Sequence, residues 1–418
     1  MSNAKAITVR MYNVGFGDSF LLFIPAPDGR PRKVLIDCGV HQQSKNPPKI
    51  ANVVKQIISD ATESDGTPRI DVIIATHRHR DHVYGFENPA WSKVQVEEVW
   101  MPWTEDPNDE EATRIREIQS KTAAHIHRAT KNQLRNRVPR AHGEMLVAAQ
   151  ALAENALTNA KAMRTLHNGF ANNAQRRYLP SKDRKANTFQ IPSLPGVTIH
   201  VMGPSFDEKV IADMNPPAAQ HYLKLMESLS TSTSKRRLPF DKNWSWNPSQ
   251  VAAANRSLKV SKGDIKRLEA LSRGNEFAVA ASLEQAVNGT SLLLMFEIGK
   301  AHLLFPGDAQ WGTWNAAMND SEWRGLLEKT TFYKVGHHGS HNATPKEFVE
   351  KILPKRFWSM ASTGPTAQWT AIIPKHELLN ALRKRCKEVA RSDIADVKDP
   401  PDFTRNKKRG YVEVKIPI

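Results

Sequence analysis

Cysteine is scarce: Cys38 and Cys386 are the only two in 418 residues, and neither belongs to a Cys-x-x-Cys pair. A disulfide framework is thereby excluded, and a reducing compartment is the simpler setting. Long apolar runs are also missing, so no segment is long enough to span a bilayer. The opening residues Met1 to Arg10 show no positively charged stretch followed by an apolar one, and no signal peptide is visible. The expectations are a cytoplasmic location and no membrane partner. Acidic residues are outnumbered, with 43 Asp and Glu against 59 Lys and Arg, giving a formal net charge of +16. A surface of that sign concentrates polyanions and anionic substrates, so nucleic acid is a partner to weigh against the chemistry of the site. The 40% hydrophobic and 24% charged fractions are those of an ordinary globular protein with a substantial core.

What the sequence does have is one dense cluster of metal-competent side chains. Thr76-His77-Arg78-His79-Arg80-Asp81-His82 follows the short β-branched run Asp71-Val-Ile-Ile-Ala, which reads as a buried strand. The ligands therefore sit at a strand's carboxyl end, where loops of a sheet-based enzyme converge. Neutral imidazole and carboxylate suit a borderline divalent ion such as zinc. Alternation lets His77 and His79 reach one ion, while Asp81 and His82 face elsewhere, toward a second. Exposed histidines in an arginine-rich turn are the plain alternative; four ligands in this order argue against it.

Around this loop the chain reads as alternating strands and helices. Residues 6–24 form a hairpin about the Gly15-Phe16-Gly17-Asp18 turn, and Arg32 to Gly39 form a third strand ending at Asp37. Gly39 is expected to turn the backbone sharply there. Ile50 to Ser59 carry helical spacing, and Val94 to Trp100 look like a strand. Residues 104–190 change character: Glu110 to Asn168 is Ala-rich and helix-favouring, and the whole reads as a helical insertion. Within it His142 alone is retained as a residue that could reach the metal. Strand character returns at Gly196 to Ser205, where His200 is expected to pack. Residues 206–285 read as an irregular basic insertion with a Ser/Thr tract at Ser228 to Ser234, Lys235-Arg236-Arg237, and Trp244 and Trp246, which are expected to fold back onto the core.

The second half supplies further ligands at strand ends. Asn288 to Ile298 and Lys300 to Asp308 read as two strands about the Gly299-Lys300 turn, the second ending in Asp308. The run Thr331 to Val335 ends in Gly336-His337-His338-Gly339-Ser340. Three strand ends thus each deliver metal-competent groups. Two ions roughly 3.5–4 Å apart can hold a hydroxide and stabilise the oxyanion it forms, with no nucleophilic Ser or Cys. The expected ligands are His77 and His79 on the first ion, and Asp81, His82 and one of His337 or His338 on the second. Asp81 is also expected to take a proton from the attacking water, and Lys334 and Ser340 flank the site where an anionic substrate would lie.

The pattern His-x-His-x-Asp-His at 77–82 resembles the signature of the metallo-β-lactamase fold superfamily. Together with Asn13 to Asp18, Leu35 to Gly39, Thr290 to Leu294, Phe305 to Asp308 and Lys334 to Ser340, it resembles the hydrolase domain of ComEC-type DNA-uptake proteins. The resemblance implies a single domain over 1–418, an αββα four-layer sandwich with the two insertions, and two divalent ions, zinc first and manganese second. It also implies that Asp308 bridges both ions and that Asp37 supports the site without binding metal. It does not cover the insertions, and no transmembrane channel is present. Arg78, Arg80 and Tyr84 depart from the family pattern. So does the absence of a Gly-His motif between the first loop and Asp308; Asn288, a water or His142 could fill that gap.

The leading expectation is a metal-dependent hydrolase of phosphodiester bonds, nuclease-like, with nucleic acid as substrate. The alternative keeps the metal but acts on a small phosphodiester, phosphocholine-type ester or lactone. A further alternative is an adaptor that binds a protein partner through the helical insertion.

Overall fold

The computed structural model describes residues 6–135, 140–157, 159–214, 216–217, 220, 276–340, 342, 344–366, 373–386, 389–393 and 399–418. β1 (Ala6–Tyr12) and β2 (Phe20–Ile24) form the opening antiparallel hairpin. β3 (Arg32–Ile36) adds antiparallel to β2; after helix α1 (Ile50–Ala61), β4 (Arg69–Ile74) adds parallel to β3. The histidine loop runs into the single turn α2 (Arg80–Val83), and β5 (Gln95–Pro102) continues the sheet in parallel.

The following stretch holds three helices, α3 (Glu110–Leu134), α4 (Arg140–Leu157) and α5 (Ala160–Asn168). It is not helical to residue 190. β6 (Gln175–Leu179) pairs parallel with β5 at the edge of the first sheet. Its sequence Gln-Arg-Arg-Tyr-Leu conceals a strand signal, because charged side chains protect an exposed edge instead of alternating with apolar ones. β7 (Thr188–Phe189) and β8 (Thr198–Gly203) start the second sheet, and α6 (Glu208–Ala212) follows.

Of the expected irregular insertion, Ser228 to Ser234, Lys235 to Arg237, Trp244 and Trp246 lie outside the described residues. Its final part is not irregular but helical, α7 (Glu276–Asn288). Ala280, Leu283 and Val287 recur at helical spacing and pack against Ala123 and Ile126 of α3 and Ala149, Leu152 and Ala153 of α4. Asn288 therefore closes a helix, where the sequence reading opened a strand. β9 (Leu293–Ile298), β10 (Ala301–Phe305), α8 (Trp311–Asn319), α9 (Ser321–Leu327), β11 (Phe332–Lys334), β12 (Trp358–Ala361), α10 (His376–Arg385), β13 (Val389–Arg391), β14 (Phe403–Asn406) and β15 (Tyr411–Pro417) complete the order.

Among the described residues the strands form two sheets, in the orders β14-β15-β1-β2-β3-β4-β5-β6 and β13-β12-β11-β10-β9-β8-β7. Between them lie Val9, Phe20, Val34, Ile36, Val72 and Ile74 from the first and Val201, Phe296, Leu303, Phe305 and Phe332 from the second. The opposite face of the first sheet is covered by Val54 and Ile57 of α1 and Leu166 of α5; that of the second by Trp314, Leu327 and Leu379 from α8, α9 and α10. Central strands are buried on both faces, which is why they read as continuous apolar runs. The result is a four-layer αββα sandwich. No helix among the described residues is long and apolar enough to cross a membrane.

Each sheet is antiparallel on one side and parallel on the other. In the first, β3, β4 and β5 run parallel; in the second, β10, β11 and β12 do. The carboxyl ends of β3 and β4 meet those of β10 and β11 across the sandwich, and the ligand-bearing loops leave from these four ends.

Candidate metal centre

Asp37, just past β3, ties the histidine loop down. Its carboxylate accepts hydrogen bonds from Thr76 N and Thr76 Oγ1, each at 2.7 Å, and lies 2.7 Å from His82 Nδ1. It thus fixes where the loop leaves β4 and how the His82 ring faces; with Asp18 and His82 it also forms a second buried group whose ligand atoms lie within 4.8 Å of one another. The sharp turn belongs to Asp37 itself, at φ 57°, and not to Gly39. Gly39 is needed for another reason: a Cβ there would overlap the backbone of Arg80, Asp81 and His82.

From the loop ends the structure brings Asp81, His82, Asp308 and His338 together, one ligand atom of each within 4.8 Å of the others, a group that could hold a metal ion. His82 Nε2 lies 3.2 Å from Asp308 Oδ2, and His338 Nε2 lies 3.2 Å from Asp81 Oδ2. His77 Nε2 stands 3.1 Å from His79 Nδ1, so the two rings converge side by side. His337 and His338 differ. Both adopt left-handed backbone, at φ 42° and 52°, strain on the order of 1–3 kcal/mol each. The turn sends the buried His338 ring inward, while His337 stays partly exposed with Nε2 3.9 Å from Asp308 Oδ2. The donor set fits a divalent ion. Asp81 Oδ1 and His337 Nδ1 are buried polar atoms with no hydrogen-bond partner, as expected of groups whose partner is a cation.

Lys334 does not sit where a substrate could reach it. It is 2% exposed; Nζ is held by Asp18, donates to Gly307 O at 3.2 Å and lies 3.6 Å from Asp308 Oδ1. Its role is to balance charge beneath Asp308. Ser340 is likewise internal: its hydroxyl donates to Asn342, which donates to Gln310, which donates to the carbonyl of Asp308. His200 packs within its strand, 2.9 Å from Glu297 Oε2. The side chain of His142 lies outside the described residues.

Three site residues escaped the sequence reading. Asp18 pairs with Lys334 and stands 3.6 Å from His338 Nδ1; its place at the end of the Gly15 to Asp18 turn was the available signal. His41 is buried with its ring 5.8 Å from Phe16, close enough to feel the Asp81 charge, and burial pushes its pKa down to about 4. Glu284, partly buried on α7, lies with Oε2 3.3 Å from His79 Nε2. Nothing local marked it, since it reaches the site only once α7 packs on α3 and α4.

The charges are mutually compensating. Burial alone would raise Asp81 and Asp308, but His338 and His82 for the first, and His82, His337 and Lys334 for the second, hold both well below the carboxylate range. Burial works against protonated His82 and His338 too, yet Asp308 and Asp37 raise His82 well above its ordinary value, and Asp18 and Asp81 raise His338. His77, His79 and His337 are lowered, chiefly by burial, His79 to about 4.

These shifts set a pH profile for the chelator-stripped protein. The lowered imidazoles contribute stability above about pH 6.5 and lose it as pH falls through their folded values. His82 and His338 contribute fully below about 6.5 and lose it as pH rises through theirs. Asp81 and Asp308 lose their share only in stronger acid, below about pH 4. Thermal melts should peak near pH ~6.5 and decline on both sides. Zinc should remove the alkaline decline, because ligation needs neutral imidazoles. A profile flat from about pH 5 to 9, with and without zinc, would contradict this.

No family model matches the chain, and no curated protein matches it. Among solved structures it is similar to zinc-bound PqqB from Methylobacterium extorquens, at 10% identity and a TM-score of 0.29, covering 76% of this chain and 58% of that one.

Proposed function

We propose that this protein is a metal-dependent hydrolase of phosphodiester bonds, with nucleic acid as its first substrate class. The reading is carried by the buried cluster of Asp81, His82, Asp308 and His338 at the meeting of four strand ends. His77 and His79 hold a first ion; Asp81, His82 and His338 hold a second; Asp308 serves both. Imidazole and carboxylate donors favour zinc, with manganese the alternative. Divalent ions bound there supply Lewis acidity that neutralises charge developing on phosphoryl oxygens. Asp81, with Oδ1 free of any hydrogen-bond donor, is placed to take the proton of an attacking water. Asp37 and Lys334 hold the ligands' orientation and charge from below. The net charge of +16 favours a polyanionic substrate.

The test pairs bound-metal content with cleavage of single- and double-stranded DNA and RNA, with added Zn²⁺ or Mn²⁺. Cleavage of at least one polymer, abolished by chelator and restored by metal, is the expected result. Polymer binding should also weaken steeply with salt. Metal-loaded protein inert on all four polymers would end the nuclease reading. A small phosphodiester, phosphocholine-type ester or lactone would then be the substrate. That second reading draws on the roofing of the loop by helices: Asn159, between α4 and α5, donates to the carbonyl of Arg78, and α7 contacts His79. A protein partner bound through α3 and α4 would be a role added to either.

A further inference from the structure

Both ring nitrogens of His79 face one helix. Glu284 and Asn288 are four residues apart on α7, hence on the same face one turn apart. Asn288 Oδ1 lies 2.8 Å from His79 Nδ1, and Glu284 Oε2 lies 3.3 Å from His79 Nε2. A neutral imidazole carries one N–H, so it can donate to only one of these two acceptors. Hydrogen-bond geometry is met only at Nδ1, toward Asn288 Oδ1, while His79 Nε2 and Glu284 Oε2 are enclosed without a hydrogen-bond partner; a proton moved to Nε2 would give the carboxylate its donor. It would also leave the Nδ1 lone pair facing an amide oxygen.

The neighbouring ring has the matching arrangement. His77 Nδ1 lies 3.3 Å from Thr76 Oγ1, whose own proton goes to Asp37 Oδ2. The N–H of His77 is therefore on Nδ1, and its Nε2 lone pair points at His79 Nδ1, 3.1 Å away. With the His79 proton on Nε2, lone pairs from His77 Nε2, His79 Nδ1 and Asn288 Oδ1 would converge on one spot with no proton among them. Such a cluster is repulsive unless a cation occupies it. Glu284 adds to the demand: it is partly buried with Oε2 enclosed, Asn155 Nδ2 donates to its Oε1 at 3.3 Å, and no lysine or arginine among the described residues forms an ion pair with it.

We propose that α7 completes the first ion's coordination: Asn288 Oδ1 is a further protein ligand beside His77, His79 and Asp308, in the place left by the missing Gly-His motif, and Glu284 is the positioning carboxylate that fixes the metal-binding tautomer of His79. The inference rests on the metal-hydrolase reading. Carboxylates placed behind ligating imidazoles typically change metal affinity about 10–100-fold, and that is the loss expected for Glu284→Gln. Asn288→Ala removes a ligand, and about one ion per chain should be lost while the other is retained. Asn288→Asp, which restores an oxygen, should recover it.

The experiment is Zn²⁺ titration of stripped wild type, Glu284→Gln, Asn288→Ala, Asn288→Asp and Asp308→Ala, with metal counted per chain and circular dichroism confirming the fold. Nitrogen-resolved NMR of the zinc-loaded protein should report His79 protonated at Nε2, with that signal altered in Glu284→Gln. The proposal is overturned if Asn288→Ala binds both ions as wild type does, or if Glu284→Gln changes neither affinity nor the His79 signal. Should Asn288→Ala fail to fold, the comparison of Asn288→Asp and Glu284→Gln with wild type decides on the same criteria. Wild type that binds no zinc, with Asp308→Ala indistinguishable from it, would instead bring down the metal-hydrolase reading and this proposal with it.

Discussion

Asp308→Ala is expected to abolish hydrolysis, with a loss of roughly a hundred- to a thousandfold, the scale of deleting one electrostatic group aimed at the reacting atoms. The reason is the number of groups that depend on its two oxygens. Oδ2 faces His82 Nε2 at 3.2 Å, and Oδ1 accepts from His337 N at 3.0 Å and lies 3.6 Å from Lys334 Nζ. Without the carboxylate, Lys334 repels any ion placed nearby and His82 loses the partner that orients Nε2. Bound metal should fall below the wild-type count together with the rate. The isosteric Asp308→Asn keeps the shape but not the charge, and should be nearly as inactive. Removing one member of a buried charged network also costs stability, about 3 kcal/mol, so urea denaturation of stripped protein belongs beside the rate assay. A variant with wild-type metal content and rate would remove Asp308 from the site.

Gly39→Ala is expected to damage the fold without touching a ligand. The added methyl would overlap the Asp81 carbonyl carbon, the His82 nitrogen and the Arg80 carbonyl oxygen. All three are main-chain atoms, so no side chain can swing aside. The segment is further pinned by hydrogen bonds from Asp18 N to Asp81 O at 2.9 Å and from Cys38 N to His82 O at 2.7 Å. Overpacking of this kind costs up to about 3 kcal/mol or more. A fall in Tm by roughly 5 °C or more, with weaker metal binding, is the expected result. Gly325→Ala is the control: nothing lies within 4 Å of a Cβ there, and in helix α9 the change should be neutral or stabilising. Equal melts for both variants would show that the close approach at Gly39 is dispensable.

How much of this was legible in the sequence follows from how local each signal is. The histidine loop, Asp308 and the His337-His338 pair were visible because each follows a short apolar run. A strand's carboxyl end is a position that local pattern alone can mark. Asp37 could be assigned a supporting place only through the family resemblance. What was not legible depends on contacts between distant segments. Glu284 looks like any helix-surface glutamate until α7 docks through Ala280, Leu283 and Val287 on α3 and α4. Lys334 reads as a cation near the site, and only its pairing with Asp18, more than three hundred residues away, reveals it as internal. The choice between His337 and His338 turned on backbone torsions, which residue identity does not dictate outside glycine. β6 was missed because an edge strand shielded by arginines carries little apolar alternation.

The division of the site between the two sheets has a consequence for the chain as a polymer. His82 and Asp308 are separated by 226 positions, one leaving the first sheet and the other the second. An ion shared between them staples the two faces of the sandwich and closes a very large loop. In the unfolded chain such a closure would cost about 5 kcal/mol of entropy, so an ion shared by both sheets would bind the closed sandwich more tightly than a half-built molecule. The first half offers the histidine loop and the second Asp308 and His338, so only the closed sandwich presents the whole set. Metal uptake would thereby be a late event in biogenesis, a seal set on a sandwich already assembled.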